Sequence, residues 1–232
     1  MIAAIHQPAY LPWLGYFHKI LLADVFVFLD TVQIEKNGFV NRNRVRTPSG
    51  VQWLTVPVGM KGHTGKTIAE MEISPAAGWK KKHIRTLEMA YRKSPWCERY
   101  AGPLGGLIEG AGDSLADFLF EMLAYFTAEL GLSETRIVRA SELAARGRRE
   151  DLLLSICKEI GADTYLSGAA GKDYLDARGF EEAGVRVEFQ EFRHPVYDQG
   201  RPGFEPNLAV VDALFHLGGD AVVSVLRRSG EG

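Results

Sequence analysis

The chain reads as one α/β domain built on a mainly parallel sheet. Three observations predict this. A short apolar strand at 2–5 runs into a loop, a helical stretch and a second apolar strand at 25–29. Short apolar or β-branched runs then alternate with amphipathic helical runs, the pattern of a parallel sheet covered on both faces. The 232 residues are 46% hydrophobic and 24% charged, which suits a soluble chain with one sizeable core.

The elements follow in order. Residues 11–23 read as a short helix after Pro12, and Asp24 precedes the second strand. Residues 32–49 are polar and basic, with Lys36, Arg42, Arg44 and Arg46 interleaved with Asn37, Asn41 and Asn43. A turn at 47–50 leads into a strand at 51–58; a Gly-rich stretch at 61–66 leads into another at 68–73. Residues 33–74 thus form a β-rich insertion within a single domain spanning 1–232.

Helices are expected at 78–92, with a basic face of Lys80, Lys81, Lys82 and Arg85, and at 114–130. Ser114 and Asp117 suit an N-terminal cap of the latter, and Gly131 closes it. A strand at 137–138, a helix at 149–160 stopped by Gly161, and a strand at 164–166 come next. A loop at 168–171, a short helix at 172–178 and a strand at 185–192 follow, then helices at 208–217 and 221–226.

The net charge of −2 argues against general nucleic-acid binding, which needs a basic footprint. Cys97 reads as a loop thiol and Cys157 as a core residue; they form neither a disulfide framework nor a metal-spaced pair. No carboxylate pair or metal-ligand spacing stands out, so no metal site is assigned. With no signal peptide or membrane span in view, the expected location is the cytoplasm.

The run His6-Gln7-Pro8-Ala9-Tyr10-Leu11-Pro12-Trp13-Leu14-Gly15-Tyr16-Phe17-His18-Lys19 is the most informative in the chain. A connecting loop is usually short and made of Gly, Asn, Asp and Ser. This one is stiff, aromatic and polar, and it follows a first strand, where open α/β sheets bind ligands. His6 and Gln7 are the catalytic candidates, since an imidazole titrates near neutrality. Tyr10, Trp13 and Tyr16 are candidates to stack on a base or sugar, and Lys19 is a further substrate contact.

Four later positions join them. Asp30 ends the second strand. Asn41 and Arg42 open the basic segment, where Arg42 and Arg44 read as facing opposite sides and a single Arg–pyrophosphate contact is expected. Ser167, Gly168, Gly171, Lys172 and Tyr174 surround a strand-to-helix loop suited to an anion. His194, held extended before Pro195, reads as the end of the last strand and as a second site histidine. An antiparallel last strand would instead put it at the far end of the sheet.

The pattern HQPxYLPWxGYFxK resembles the signature of the WbqC-like family. Further matches are Thr164–Gly168, Gly171–Asp176, His194–Gln199, Phe204–Leu208 and Val211–Phe215, so the resemblance covers nearly the whole chain. It implies a setting in bacterial gene clusters for O-antigen and other surface polysaccharides. The first unit also resembles nucleotidyltransferase-like folds, although Trp13 and Tyr16 stand where those enzymes carry two histidines. The fold expectation is therefore nucleotidyltransferase- or Rossmann-like, with a helical middle segment.

Together these imply a transferase or ligase acting on a nucleotide sugar or other small phosphorylated substrate. The concrete form is acyl or aminoacyl transfer onto a nucleotide-linked amino sugar. One alternative is a nucleotidyltransferase using a nucleoside triphosphate with magnesium as cofactor. Another is a noncatalytic sugar-nucleotide-binding protein. A homodimer is left open.

Overall fold

The chain begins with the middle strand of its sheet. β1 (Ile2–His6) is followed by α1 (Leu14–Leu21) and β2 (Val25–Phe28). A hairpin of β3 (Arg42–Thr47) and β4 (Gly50–Thr55) comes next. Three helices follow: α2 (Trp79–Tyr91), α3 (Cys97–Glu109) and α4 (Leu115–Glu129). The chain then alternates β5 (Arg136–Arg139), α5 (Glu150–Ile160), β6 (Thr164–Ser167), α6 (Ala177–Glu182) and β7 (Arg186–Phe189). α7 (Val210–Leu217) and α8 (Gly219–Arg228) come last. The computed structural model describes residues 1–35, 38–59, 65–173 and 175–230.

The main sheet has the order β5-β2-β1-β6-β7, and every pairing is parallel. The strand–helix alternation predicts this Rossmann-like α/β arrangement. Successive strand residues point to opposite faces. Ala4, Phe26, Phe28 and Leu166 therefore face one core, with Phe17, Phe118, Phe126, Leu214 and Leu226 from α1, α4, α7 and α8. Ala3, Ile5, Val25, Val27 and Tyr165 face a second core, with Leu152, Ile156 and Phe180 from α5 and α6. Both sides of the sheet are covered, which explains why its inner strands are apolar on both faces.

Local signals set several helix ends as expected. Ser114 Oγ accepts from the Asp117 amide at 3.2 Å and opens α4. Gly131 and Gly161, at φ 60° and 73°, end α4 and α5. Among the described residues, no helix is long and apolar enough to cross a membrane.

Other expectations need correction. Among the described residues of 33–74, only the β3–β4 hairpin is a sheet. Residues 68–73 are no strand: Ile68–Glu70 is a 3-10 turn. Glu70 Oε2 accepts from the Thr67 amide and hydroxyl, both at 2.8 Å, and this local cap outcompetes a ladder. Arg42 and Arg44 are two residues apart on a strand, so they share one face of the hairpin while Asn43 points to the other. Residues 172–178 are not one helix; a 3-10 turn, Ala169–Asp173, precedes α6. β7 stops at Phe189, so His194 lies in the irregular segment beyond the sheet.

Cys97 is the first residue of α3 and not a loop thiol. Gly102, Pro103, Gly105 and Gly106 hide this helix from propensity, but Tyr100, Leu104 and Ile108 are buried at four-residue spacing. Lys36, Asn37 and most of the Gly-rich stretch lie outside the described residues.

The first loop is clamped from several sides. Leu11 has φ 46°, a left-handed conformation that strains a leucine. Its carbonyl accepts from Asn43 Nδ2 at 2.6 Å. The Tyr10 amide donates to the Val40 carbonyl at 3.0 Å, and the Pro12 carbonyl accepts from the Val210 amide at 2.7 Å.

Asn43 is fully buried, so Asn43→Ala should cost about 2 kcal/mol by leaving the Leu11 carbonyl unsatisfied. Urea denaturation measures it. A loss below about 0.5 kcal/mol, the scale of an inconsequential surface change, would show that the loop holds its shape without this bond.

Candidate functional site

The connection from β1 leads to β2 on one side, while β6 and β7 extend the sheet on the other. The carboxyl ends of β1 and β6 therefore flank a topological switch point, where open α/β sheets leave a crevice for ligands. His6 and Gln7 stand at one end of it, Ser167 and Gly168 at the other. Strand alternation sends His6 toward the α1 face. Gln7 lies on the α5 face and lines a cleft of about 530 Å3 with Leu29, Val32, Glu35, Arg149 and Leu153.

His6 is partly exposed and held by its own loop. Its Nδ1 lies 2.9 Å from the Gln7 carbonyl, so Nδ1 carries the proton and Nε2 is left as the acceptor. The same carbonyl accepts from Tyr16 OH at 3.3 Å. The Tyr16 and Trp13 rings stand edge-on to the imidazole, with centroids 4.9 and 5.5 Å away. Burial, then the charge of Lys19, lowers the His6 pKa to about 3, against a smaller upward effect of the Gln7 bond. His6 is thus a neutral acceptor at working pH.

Lys19, expected as a substrate contact, lies at the centre of the site. It is 4% exposed, and no carboxylate pairs with it among the described residues. Its ammonium reaches the end of β6: a β-carbon on Gly168 would come within 3.3 Å of Lys19 Nζ. Burial lowers its pKa from 10.5 to about 8. A shift of that size corresponds to about 3 kcal/mol of destabilisation at neutral pH. An anion in the crevice would offset it.

The neighbouring chain is built to leave this space. A β-carbon on Gly171 would overlap Ser167 Oγ, so any larger residue would force that hydroxyl to turn away. The Ser167 carbonyl accepts from the Gln190 amide at 2.8 Å. Gln190 Nε2 in turn donates to the Gly15 carbonyl at 2.8 Å and lies 2.9 Å from His18 Nδ1. Gln190 thereby ties β6 to α1, a role that nothing in its sequence neighbourhood announces.

Other expected site residues are placed elsewhere. Tyr10 is fully buried, with its OH 2.8 Å from His83 Nδ1, and is a core residue. Asp30 is fully buried as well; its carboxylate accepts from the Ser141 amide and hydroxyl at 2.9 and 2.7 Å, joining β2 to the chain after β5. Neither can meet a substrate. Tyr16 is also buried and supports His6 from behind. Asn41 Nδ2 donates to the Val56 carbonyl and closes the hairpin base.

Arg42 lies over the Trp53 ring at 4.5 Å and donates to the Gly38 carbonyl. Lys172 is in the last turn of the 3-10 turn, not at a helix start, with Nζ 5.8 Å from the Phe189 ring centre. The cation beside Gly168 is Lys19. Tyr174 lies outside the described residues.

His194 belongs to a cluster with Phe192, Tyr197 and Phe204. Phe192 joins that cluster to the first loop, since it packs on His18 with centroids 5.2 Å apart. Tyr197 OH and Tyr91 OH both donate to the buried Asp212, at 2.9 and 3.1 Å. Asp212 thus finds the partners that its apolar helix demands. Among the described residues, no three His, Cys, Asp or Glu side chains gather to hold a metal.

Two outcomes follow from the electrostatics. Unfolded lysine keeps its proton to about pH 10.5, and Lys19 keeps it only to about 8. The unfolded chain binds more protons between those values, so the burial cost is full below pH 8 and fades above it. Lys19→Met should therefore stabilise the protein at pH 7 by about 1–3 kcal/mol, with a smaller gain at pH 10. Denaturant midpoints at the two pH values measure this; a destabilised variant would mean that the charge is satisfied. Separately, the His6 ring resonances should not titrate between pH 5 and 8 in NMR spectra. A midpoint near 6.5 would place the ring in water.

The family model of the WbqC-like protein family matches residues 7–224. A relative from Mycobacterium tuberculosis, "Uncharacterized protein Rv1507c", is 33% identical over 220 residues, covering 94% of each chain. No solved structure matches. The family match runs from Gln7, just after β1, through β6 of the switch point and into α8, and the chain belongs to the WbqC-like protein family.

Proposed function

We propose that the protein binds a nucleotide-linked amino sugar at the switch point and transfers an acyl or aminoacyl group onto it during surface-polysaccharide synthesis. One observation carries the anionic part of this reading. Lys19, only 4% exposed, brings an ammonium that no carboxylate pairs with among the described residues to within reach of Gly168, at the ligand-binding end of a parallel sheet. A buried charge without a partner is costly, and a phosphate would supply the partner. The polysaccharide setting rests on family resemblance.

His6 takes the proton in this reading. The sugar amine attacks the acyl carbon of the donor. The new C–N bond forms as the bond to the donor's leaving group breaks, and the amine proton passes to His6 Nε2. A phosphate next to His6 raises its basicity toward the useful range, because an opposite charge favours the imidazolium. The cleft beside Gln7 gives the acyl donor a place on the other face of the sheet. Trp13 offers a ring to the sugar.

Calorimetry with a panel of nucleotide sugars tests the reading. Lys19→Met should weaken binding at least tenfold, the loss of one charge-assisted hydrogen bond. Lys172→Ala should weaken it less. The exposed Lys81→Ala should leave it unchanged; Lys80 is unsuited as a control because it donates to the Glu109 and Ala111 carbonyls. Wild-type affinity should fall as pH rises through 8, where Lys19 loses its charge. Equal affinities for wild type and Lys19→Met would remove the phosphate site. Pyrophosphate release from a nucleoside triphosphate with magnesium would replace group transfer with nucleotidyl transfer.

A further inference from the structure

A row of rings leads away from His6 across the first loop to the hairpin. Trp13 stands 5.5 Å from the imidazole, Phe39 5.4 Å from Trp13, and Trp53 5.8 Å from Phe39, centroid to centroid. The row begins in the crevice and ends in the open. Phe39 is 40% exposed and Trp53 45%. Neighbouring aromatics that stay wet mark a binding surface more often than isolated ones do.

The hairpin holds the outer ring in place. Arg44 pairs with Trp53 across the ladder, and Arg42 shares the Arg44 face. Their guanidinium carbons lie 5.8 and 4.5 Å from the Trp53 ring centre, within cation–π range. Asn43, on the opposite face, bonds the Leu11 carbonyl. The rings therefore keep a fixed relation to the loop that carries His6.

We propose that Phe39 and Trp53 form the platform for the base of a nucleoside diphosphate whose phosphates lie against Lys19 and Gly168. This rests on the phosphate reading above and extends it along the row of rings. The two ends of the row differ as the two ends of such a ligand do. One end offers a buried ammonium and an imidazole acceptor, the other flat apolar faces. Trp13 stands between His6 and Phe39 and links the two ends of the row. A base presents a π-face to each ring whatever its identity. Sugars offer only C–H edges, and Arg42 and Arg44 add charge suited to exocyclic oxygens.

Affinities for uridine diphosphate and for inorganic pyrophosphate separate the parts. Wild type should bind the diphosphate nucleoside about tenfold more tightly, the usual scale of one base stacked on an aromatic ring. Phe39→Ala and Trp53→Ala should each lose most of that tenfold and leave pyrophosphate affinity unchanged, with denaturation midpoints as in wild type. Trp53→Phe, which keeps a flat face, should retain most of it. Lys19→Met should lose both ligands.

Unchanged uridine diphosphate affinity in both ring-to-alanine variants overturns the platform while leaving the phosphate site standing. Unchanged pyrophosphate affinity in Lys19→Met overturns the phosphate reading and the platform with it. A wild-type dimer that becomes monomeric on Trp53→Ala, seen by sedimentation, with nucleotide affinity intact, overturns the platform and assigns the rings to a subunit contact.

Discussion

The hydrogen bond from Asn43 to the Leu11 carbonyl is the constraint on which the site depends. Leu11 occupies backbone space that leucine avoids, so the loop needs outside support. Asn43 supplies it from the hairpin, Val210 from α7 and Met122, whose Sδ lies 3.4 Å from the Leu11 amide, from α4. Three distant parts of the chain thus converge on two consecutive loop residues, Leu11 and Pro12. The large helical layer exists on one face of the sheet partly to hold this loop where β1 ends.

The loop in turn sets an unusual electrostatic arrangement. Two basic side chains, His6 and Lys19, meet without a carboxylate among the described residues. Burial lowers the pKa of both, and the charge of Lys19 adds to the effect at His6. Acidic residues are not lacking nearby: Asp30 sits at the end of β2. Its charge is consumed by Ser141 on the far side of the strand. The site therefore keeps the charge of Lys19, while Asp30 is used to hold strands together.

Much of this was legible in the residues. Alternating apolar runs predicted the parallel sheet, and the long aromatic first loop pointed to the edge that carries His6 and Gln7. Glycine signals at 131 and 161 ended the right helices. Illegible features share a physical cause: each depends on contacts between segments far apart. The helix at Cys97–Glu109 defies propensity because tertiary burial of Tyr100, Leu104 and Ile108 outweighs its glycines and proline. Lys19 read as a substrate contact, but its place beside Gly168 depends on β6 and could not be read from its own helix. Tyr10 and Asp30 had the right chemistry for a site, but burial gave them structural partners. Phe39 sits in the basic segment and Trp53 in the strand after it, and only the folded chain brings the two rings together beside Trp13.

The placement of β1 has a consequence for how the chain is made. Its register joins Ala3 to Val25 on one edge and Ile2 to Thr164 on the other. The first pairing is available as soon as the opening β–α–β unit has emerged from the ribosome. The second must wait for the hairpin, three helices, β5 and α5. Throughout that interval the central strand of the sheet carries an unpaired edge, the feature that recruits other chains. Non-local pairings of this kind are slow to form, and intermediates with open edges aggregate. Synthesis of the second half of the chain, more than any local propensity, therefore sets the moment at which the sheet closes and the crevice comes into being.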